Sequence, residues 1–133
     1  MSCKSALYAA MQTATAVTAG GVIPLGSLIR RYGCDIALNG NAVNLTGTGY
    51  YDVDASITAT LTAAGTVTVT LYKDGVAVPG ATASETGTAS GTVNLNIPAL
   101  VRQACCASGS ALSLVLTEAA ATVNNVALRV QRI

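Results

Sequence analysis

Tyr50-Tyr51-Asp52-Val53-Asp54-Ala55-Ser56-Ile57-Thr58-Ala59-Thr60-Leu61-Thr62 is the stretch that decides the fold class. Tyr51, Val53, Ala55, Ile57, Ala59 and Leu61 alternate with Tyr50, Asp52, Asp54, Ser56, Thr58 and Thr60. Side chains of an extended chain point to opposite faces at every step, so this period of two predicts a long strand with one apolar and one polar face. Ala63-Ala64-Gly65 then makes a turn. From Thr66 to Tyr72 the alternation resumes, with Val67, Val69 and Leu71 inward and Thr66, Thr68 and Thr70 outward. Asp74-Gly75 is a hairpin signal, because both central positions of the favoured two-residue turn need a positive φ. Val76-Ala77-Val78 returns from it, and Pro79-Gly80 marks a turn or bulge.

The same pattern extends in both directions. Val93, Leu95 and Ile97 alternate with Thr92, Asn94 and Asn96, and Pro98 suggests an edge strand or a bulge, since proline cannot donate to a ladder. Ala99–Cys106 reads equally as a strand or a short helix. Ser108-Gly109-Ser110 is a turn. Leu112, Leu114 and Leu116 share one face, and Val126, Leu128 and Val130 share another in a final strand. Toward the N-terminus, Gly20-Gly21, Gly26, Gly33, Asn39-Gly40 and Gly47–Gly49 cut residues 13–48 into short strands. The sum is an all-β chain of about eight to ten strands in a sandwich, with no linker and no second domain. The sandwich domain is expected over 13–133. Residues 1–12 precede the first expected strand, and Leu7, Tyr8 and Met11 there form a candidate apolar anchor for a partner.

Composition narrows the function. The 133 residues hold 7 Lys+Arg, 6 Asp+Glu and no His, for a net charge of +1. There is no basic stripe, which argues against nucleic-acid binding. No apolar run approaches the roughly 20 residues of a membrane helix. The opening MSCKSALYAAM has one Lys, and Gln12 and Thr13 break its apolar stretch, so it does not read as a cleaved signal. The chain is 51% hydrophobic but has neither Phe nor Trp. Each core position therefore buries little area, while fixing the chain costs roughly 1.5 kcal/mol per residue. A small-residue core and a charge-poor surface both point to a partner subunit.

Chemistry-bearing residues are few. Without His, neither a Ser-His-Asp nor a Cys-His arrangement can form, and no enzymatic function or cofactor is expected. Cys3, Cys34, Cys105 and Cys106 fit no zinc spacing and read as small reduced hydrophobes; Cys3–Cys34 or an intersubunit bridge is the alternative. Asp52 and Asp54 share a strand face, where paired carboxylates can bind a cation; the plainer reading is a solvated or interface face. Arg30-Arg31 and Arg102 suit phosphate, carboxylate or intersubunit ion pairs. Tyr50, Tyr51 and Tyr72 suit a sugar platform or, more simply, interface and core packing. Asn44-Leu45-Thr46 matches a glycosylation sequon by pattern. Tyr50, Asp52, Asp54 and Arg102 are the candidate interface residues.

Several blocks together resemble a known family. Ala19-Gly20-Gly21-Val22-Ile23-Pro24-Leu25 is similar to the early glycine-rich turn and strand of the bacterial and phage branch of tumour-necrosis-factor-like jelly rolls. Asn39–Leu45 followed by Gly47-Thr48-Gly49-Tyr50-Tyr51 resembles that branch's next block, where a short hairpin leads into the longest strand. Val67–Ala81 resembles its central hairpin, and Leu112–Leu114 with Val123–Val130 its last two strands. The resemblance implies a compact homotrimer of the kind found in the globular heads of collagen-like spore-surface glycoproteins and in phage structural modules. This chain has no Gly-X-Y stalk. The expectation is therefore a structural trimer on a virion surface, a capsid decoration or fibre-head protein bound to a capsid or other particle protein. The alternatives are a glycan- or receptor-binding adhesion module, or a spore- or cell-surface protein.

Overall fold

The computed structural model describes residues 5–33, 35–103 and 109–133. Its strands are β1 (Ala6–Met11), β2 (Thr15–Val17), β3 (Ser27–Tyr32), β4 (Ile36–Asn39), β5 (Ala42–Leu45), β6 (Gly49–Leu61), β7 (Gly65–Lys73), β8 (Val76–Gly87), β9 (Thr92–Gln103), β10 (Ser110–Thr117) and β11 (Ala121–Arg132). They form two sheets. One runs β3-β1-β11-β6-β9, with β2 also paired to β11; the other runs β4-β5-β10-β7-β8. All paired strands are antiparallel. The Cys3, Cys34, Cys105 and Cys106 readings lie outside the described residues.

β6 is the long strand expected from its alternation. Tyr51, Val53, Ala55, Ile57, Ala59 and Leu61 are all buried, and their alternates are half-buried or exposed. β6 lies between β11 and β9, so its length is matched by two long partners. Val67, Val69 and Leu71 of β7, Val93, Leu95 and Ile97 of β9, Leu112, Leu114 and Leu116 of β10, and Val126, Leu128 and Val130 of β11 complete a dry interior between the sheets. Among the described residues, Tyr51 is the one buried aromatic side chain. Aliphatic burial at about 1.5–3 kcal/mol for each larger side chain therefore carries the fold.

The expected turns at 74–75 and 79–80 are present, and Ser108 of the turn expected at 108–110 lies outside the described residues. Asp74 (φ 52) and Gly75 (φ 81) are both left-handed and join β7 to β8. Asp74 Oδ1 accepts from the Ala111 amide at 2.9 Å, and the Asp74 amide donates to Ala111 O at 2.9 Å. Gly80 (φ 79) sits where the β7–β8 register shifts, so Pro79-Gly80 is a bulge within β8. β9 runs through Pro98 at the sheet edge, opposite Asp54, and remains a strand to Gln103; the short-helix reading of 99–103 is set aside.

One expectation is corrected. Ala6–Met11 is not ahead of the sandwich but part of it. β1 pairs with β11 on one side and β3 on the other, and Leu7, Ala9 and Met11 are buried. Two candidate anchor residues, Leu7 and Met11, thus face the core, and only Tyr8 is left on the surface. The alternation Leu7, Ala9, Met11 is too short and too rich in alanine to stand out in sequence. It becomes a strand because β11 offers it a full-length partner. Counting β1 and the fragments β2 and β4 raises the strand number above the expected eight to ten.

Candidate functional site

The outer face of the six-stranded sheet collects the candidate interface residues. Cross-strand neighbours share a face, so the registers give its rows directly. One row reads Arg30, Tyr8, Arg129, Asp54 and Pro98 across β3, β1, β11, β6 and β9. The next reads Tyr32, Ala6, Gln131, Asp52 and Leu100, and beyond it Tyr50 faces Arg102. Tyr8, Tyr32, Tyr50 and Leu100 are exposed there, as is Ile133 beside Tyr50, whose carbonyl accepts from the Ile133 amide at 3.0 Å.

Asp52 and Asp54 project to this same face, as their spacing predicts, but they hold a cation of the protein's own. Arg129 Nη2 lies 3.5 Å from Oδ2 of each. All three side chains are roughly half exposed, so each pair contributes only about 0–1 kcal/mol in the isolated chain. Arg129 was not legible as their partner, because it is 75 residues from Asp54 and only the β11–β6 register joins them. Two carboxylates against one guanidinium leave the centre of the face acidic. Arg30 stands at the β3 edge and Arg102 at the β9 edge, so the borders are basic.

The three tyrosines of the imagined sugar platform are not brought together. Tyr50 is on this outer face, Tyr51 is in the core, and Tyr72 is on β7 of the other sheet. Strand alternation separates Tyr50 from Tyr51, a constraint already implicit in the period of two. Asn44 is half-buried on β5, between β4 and β10.

A groove of about 480 Å³ lies beyond Arg102, between the β7–β8 hairpin and the end of β9. Val76, Val78, Pro79, Leu100 and Val101 line it, with Lys73, Asp74 and Arg102 at its polar rim. Lys73 Nζ donates to Arg102 O at 2.6 Å and ties the two sheets together there. The Asp74 carboxyl titrates below its usual range, chiefly because the Ala111 amide donates to it, with Ser110 adding a further hydrogen bond.

A buried polar cluster closes the same end of the sandwich. Arg132 Nη1 meets Asp35 Oδ2 at 2.5 Å, and its Nη2 donates to Thr48 O. The Asp35 amide donates to Ser5 Oγ at 3.1 Å. Tyr51 donates its hydroxyl to Gly47 O at 2.6 Å. Burial raises the Tyr51 pKa, and the Asp35 charge adds to the effect. A side chain at Gly47 would place its Cβ 2.3 Å from Asp35 Oδ1, so glycine is required by the close approach. Ser5, Asp35 and Arg132 were not singled out in sequence, since nothing local links positions 5, 35 and 132.

No protein-family model matches the chain, and no curated protein does. Solved structures do. Eiger TNF from S. frugiperda is 11% identical, covers 100% of this chain and 94% of its own, and superposes with a TM-score of 0.74. Murine APRIL is 12% identical, with 98% and 99% coverage and a TM-score of 0.74. The PRD1 vertex protein P5 is 13% identical, with 97% of this chain and 73% of that one covered, and a TM-score of 0.68. At these identities the likeness is one of architecture: the chain has the tumour-necrosis-factor-like jelly-roll fold.

Proposed function

We propose that this chain is a non-enzymatic structural protein, a homotrimeric jelly-roll module displayed on a particle surface, as a phage capsid decoration or fibre-head protein. The observation that carries the reading is the outer face of the six-stranded sheet. It exposes Tyr8, Tyr32, Tyr50, Leu100 and Ile133 around an acidic centre, a combination of aromatic anchors and charge typical of a contact surface. Its charges are arranged for a head-to-tail contact. The basic β9 edge of one copy, with Arg102 and the apolar Leu100, complements the Asp52–Asp54 centre of the next. Such a heterologous contact closes into a ring when its rotation allows, and three copies are the closure the family resemblance implies. Tyr50, Asp52, Asp54 and Arg102 are then interface residues. The absence of His from the chain leaves histidine-dependent catalysis unavailable. The shared architecture with a phage vertex protein supports the particle setting.

Sedimentation tests this directly. Leu100→Asp lies on the exposed face of an edge strand, so the variant folds, and it is expected to sediment as a monomer. If it retains the wild-type mass, this face is not the contact.

A second reading, a glycan- or receptor-binding trimer, is favoured by the groove between the β7–β8 hairpin and β9. Binding on a glycan array that is lost in a Val76→Lys variant distinguishes it from a purely structural role.

A further inference from the structure

Among the described strands, β3 alone has every side chain exposed. It is the outermost strand of its sheet and pairs only with β1. An edge of this kind leaves alternate backbone N–H and C=O groups free to pair with another chain. Its sequence, Ser27-Leu28-Ile29-Arg30-Arg31-Tyr32, places two large aliphatic side chains in water, with Leu28 at 45% and Ile29 at 53% exposure. The register slips between Tyr8 and Ala9, whose partners are Arg30 and Leu28, so Ile29 is the extra residue of a bulge. Bulges bend a strand and re-aim a side chain. Beside this one lies a groove of about 410 Å³, lined by Tyr8, Met11, Gln12, Gly26, Ser27 and Ile29.

The charges sharpen the picture. Arg31 Nε donates to Ile36 O at 2.6 Å, which ties the strand to the following β4. The ion pairs among the described residues belong to Arg129 and Arg132, so neither Arg30 nor Arg31 meets a carboxylate there. The edge therefore offers free backbone pairing, apolar side chains next to a groove, and two uncompensated cations. Since β1 is built into the sheet, attachment to a particle needs a different surface, and β3 has the properties required.

We propose that β3 is the docking edge for a partner protein: an extended, acid-bearing segment of that partner adds to the sheet as a further strand, sets a carboxylate against Arg30 and places an apolar side chain in the groove beside Ile29. This rests on the structural-module reading and names the partner chemistry that reading requires. Charged residues also guard edge strands against aggregation. A guard works with either sign of charge, whereas a docking charge does not, so charge reversal separates the two roles.

The test uses the full chain, isotope-labelled, and a capped synthetic peptide of alternating valine and threonine with two glutamates. A second peptide has lysines in place of the glutamates. The glutamate peptide is expected to shift and protect the amides of residues 27–32. Arg30→Glu should keep the wild-type melting temperature, weaken that peptide by about tenfold or more, and bind the lysine peptide instead. Absence of protection at 27–32, or unchanged selectivity in Arg30→Glu, overturns the proposal. Protection of 27–32 by a second copy of the chain, without added peptide, also overturns it, because the occupant is then the chain itself. Light scattering on the same samples reads the trimer separately. A monomer that binds the glutamate peptide contradicts the trimer and leaves the docking edge standing, and a trimer that ignores the peptide does the reverse.

Discussion

Arg132, next to the last residue of the chain, reaches Asp35 at 2.5 Å and ties the end of β11 to the segment that leads into β4. The pair crosses 97 positions of sequence and joins the two sheets at one end. Both side chains are largely buried, so removing the carboxylate takes from Arg132 the counter-charge that offsets its burial. Asp35→Ala is expected to destabilise the fold by about 3 kcal/mol. Chemical denaturation checks it: a midpoint unchanged from wild type would mean that the ion pair adds nothing beyond Arg132's hydrogen bond to Thr48 O.

The long strand makes a one-residue prediction. Ile57 is fully buried, while Thr58 lies on the outer face and accepts a hydrogen bond from Asn94 Nδ2 at 2.9 Å. Ile57→Asp places an unpaired carboxylate in the core and should prevent folding. Thr58→Asp should fold, at a cost of about 1 kcal/mol, because aspartate is a poorer strand former than threonine. Circular dichroism of the two variants separates them, and equal behaviour would contradict the register.

The legibility of the fold follows from strand length. β6, β7, β9, β10 and β11 repeat their alternation often enough to fix both the strand and its buried face, and Asp74-Gly75 fixes the hairpin between β7 and β8. β1 was missed because Leu7, Ala9 and Met11 give only a short apolar rhythm whose meaning depends on β11. The candidate interface face followed the same rule. Asp52 and Asp54 were readable as a same-face pair within one strand. Their partner Arg129, and the contribution of Tyr8 and Tyr32, required knowing which strands lie side by side. The contact of Ser5, Asp35 and Arg132 is purely tertiary and left no local trace.

Alkaline pH should expose the role of Tyr51. Its folded-state pKa is raised above the ordinary value of about 10, mainly by burial. The folded state thus holds the phenol proton more tightly than the unfolded chain does. That stabilisation is complete below pH about 10 and declines as pH rises through the folded-state value. Tyr51→Phe should lose about 1 kcal/mol at neutral pH, from the hydrogen bond to Gly47 O, yet show a shallower loss above pH 10. Denaturant midpoints between pH 8 and about 11 test this. Parallel curves for the two proteins would contradict it.

Gln103 offers a stabilising change. Its side chain is buried at the end of β9, and neither the amide nitrogen nor the oxygen has a hydrogen-bond partner among the described residues. Leaving such a group unsatisfied costs about 1–3 kcal/mol. Gln103→Met keeps the volume and removes the polar atoms, so thermal unfolding is expected a few degrees higher, at roughly 2–8 °C per kcal/mol. A lower melting temperature would show that the amide is satisfied in solution.

The central claim is that the acidic, tyrosine-bearing face of the six-stranded sheet is covered by another copy of the chain, and that three copies close the ring. Multi-angle light scattering of the purified protein, taken from high to low micromolar concentration, measures it without any variant. The account predicts three times the chain mass throughout that range. A monodisperse species at the mass of a single chain, stable and folded at micromolar concentration, would contradict it.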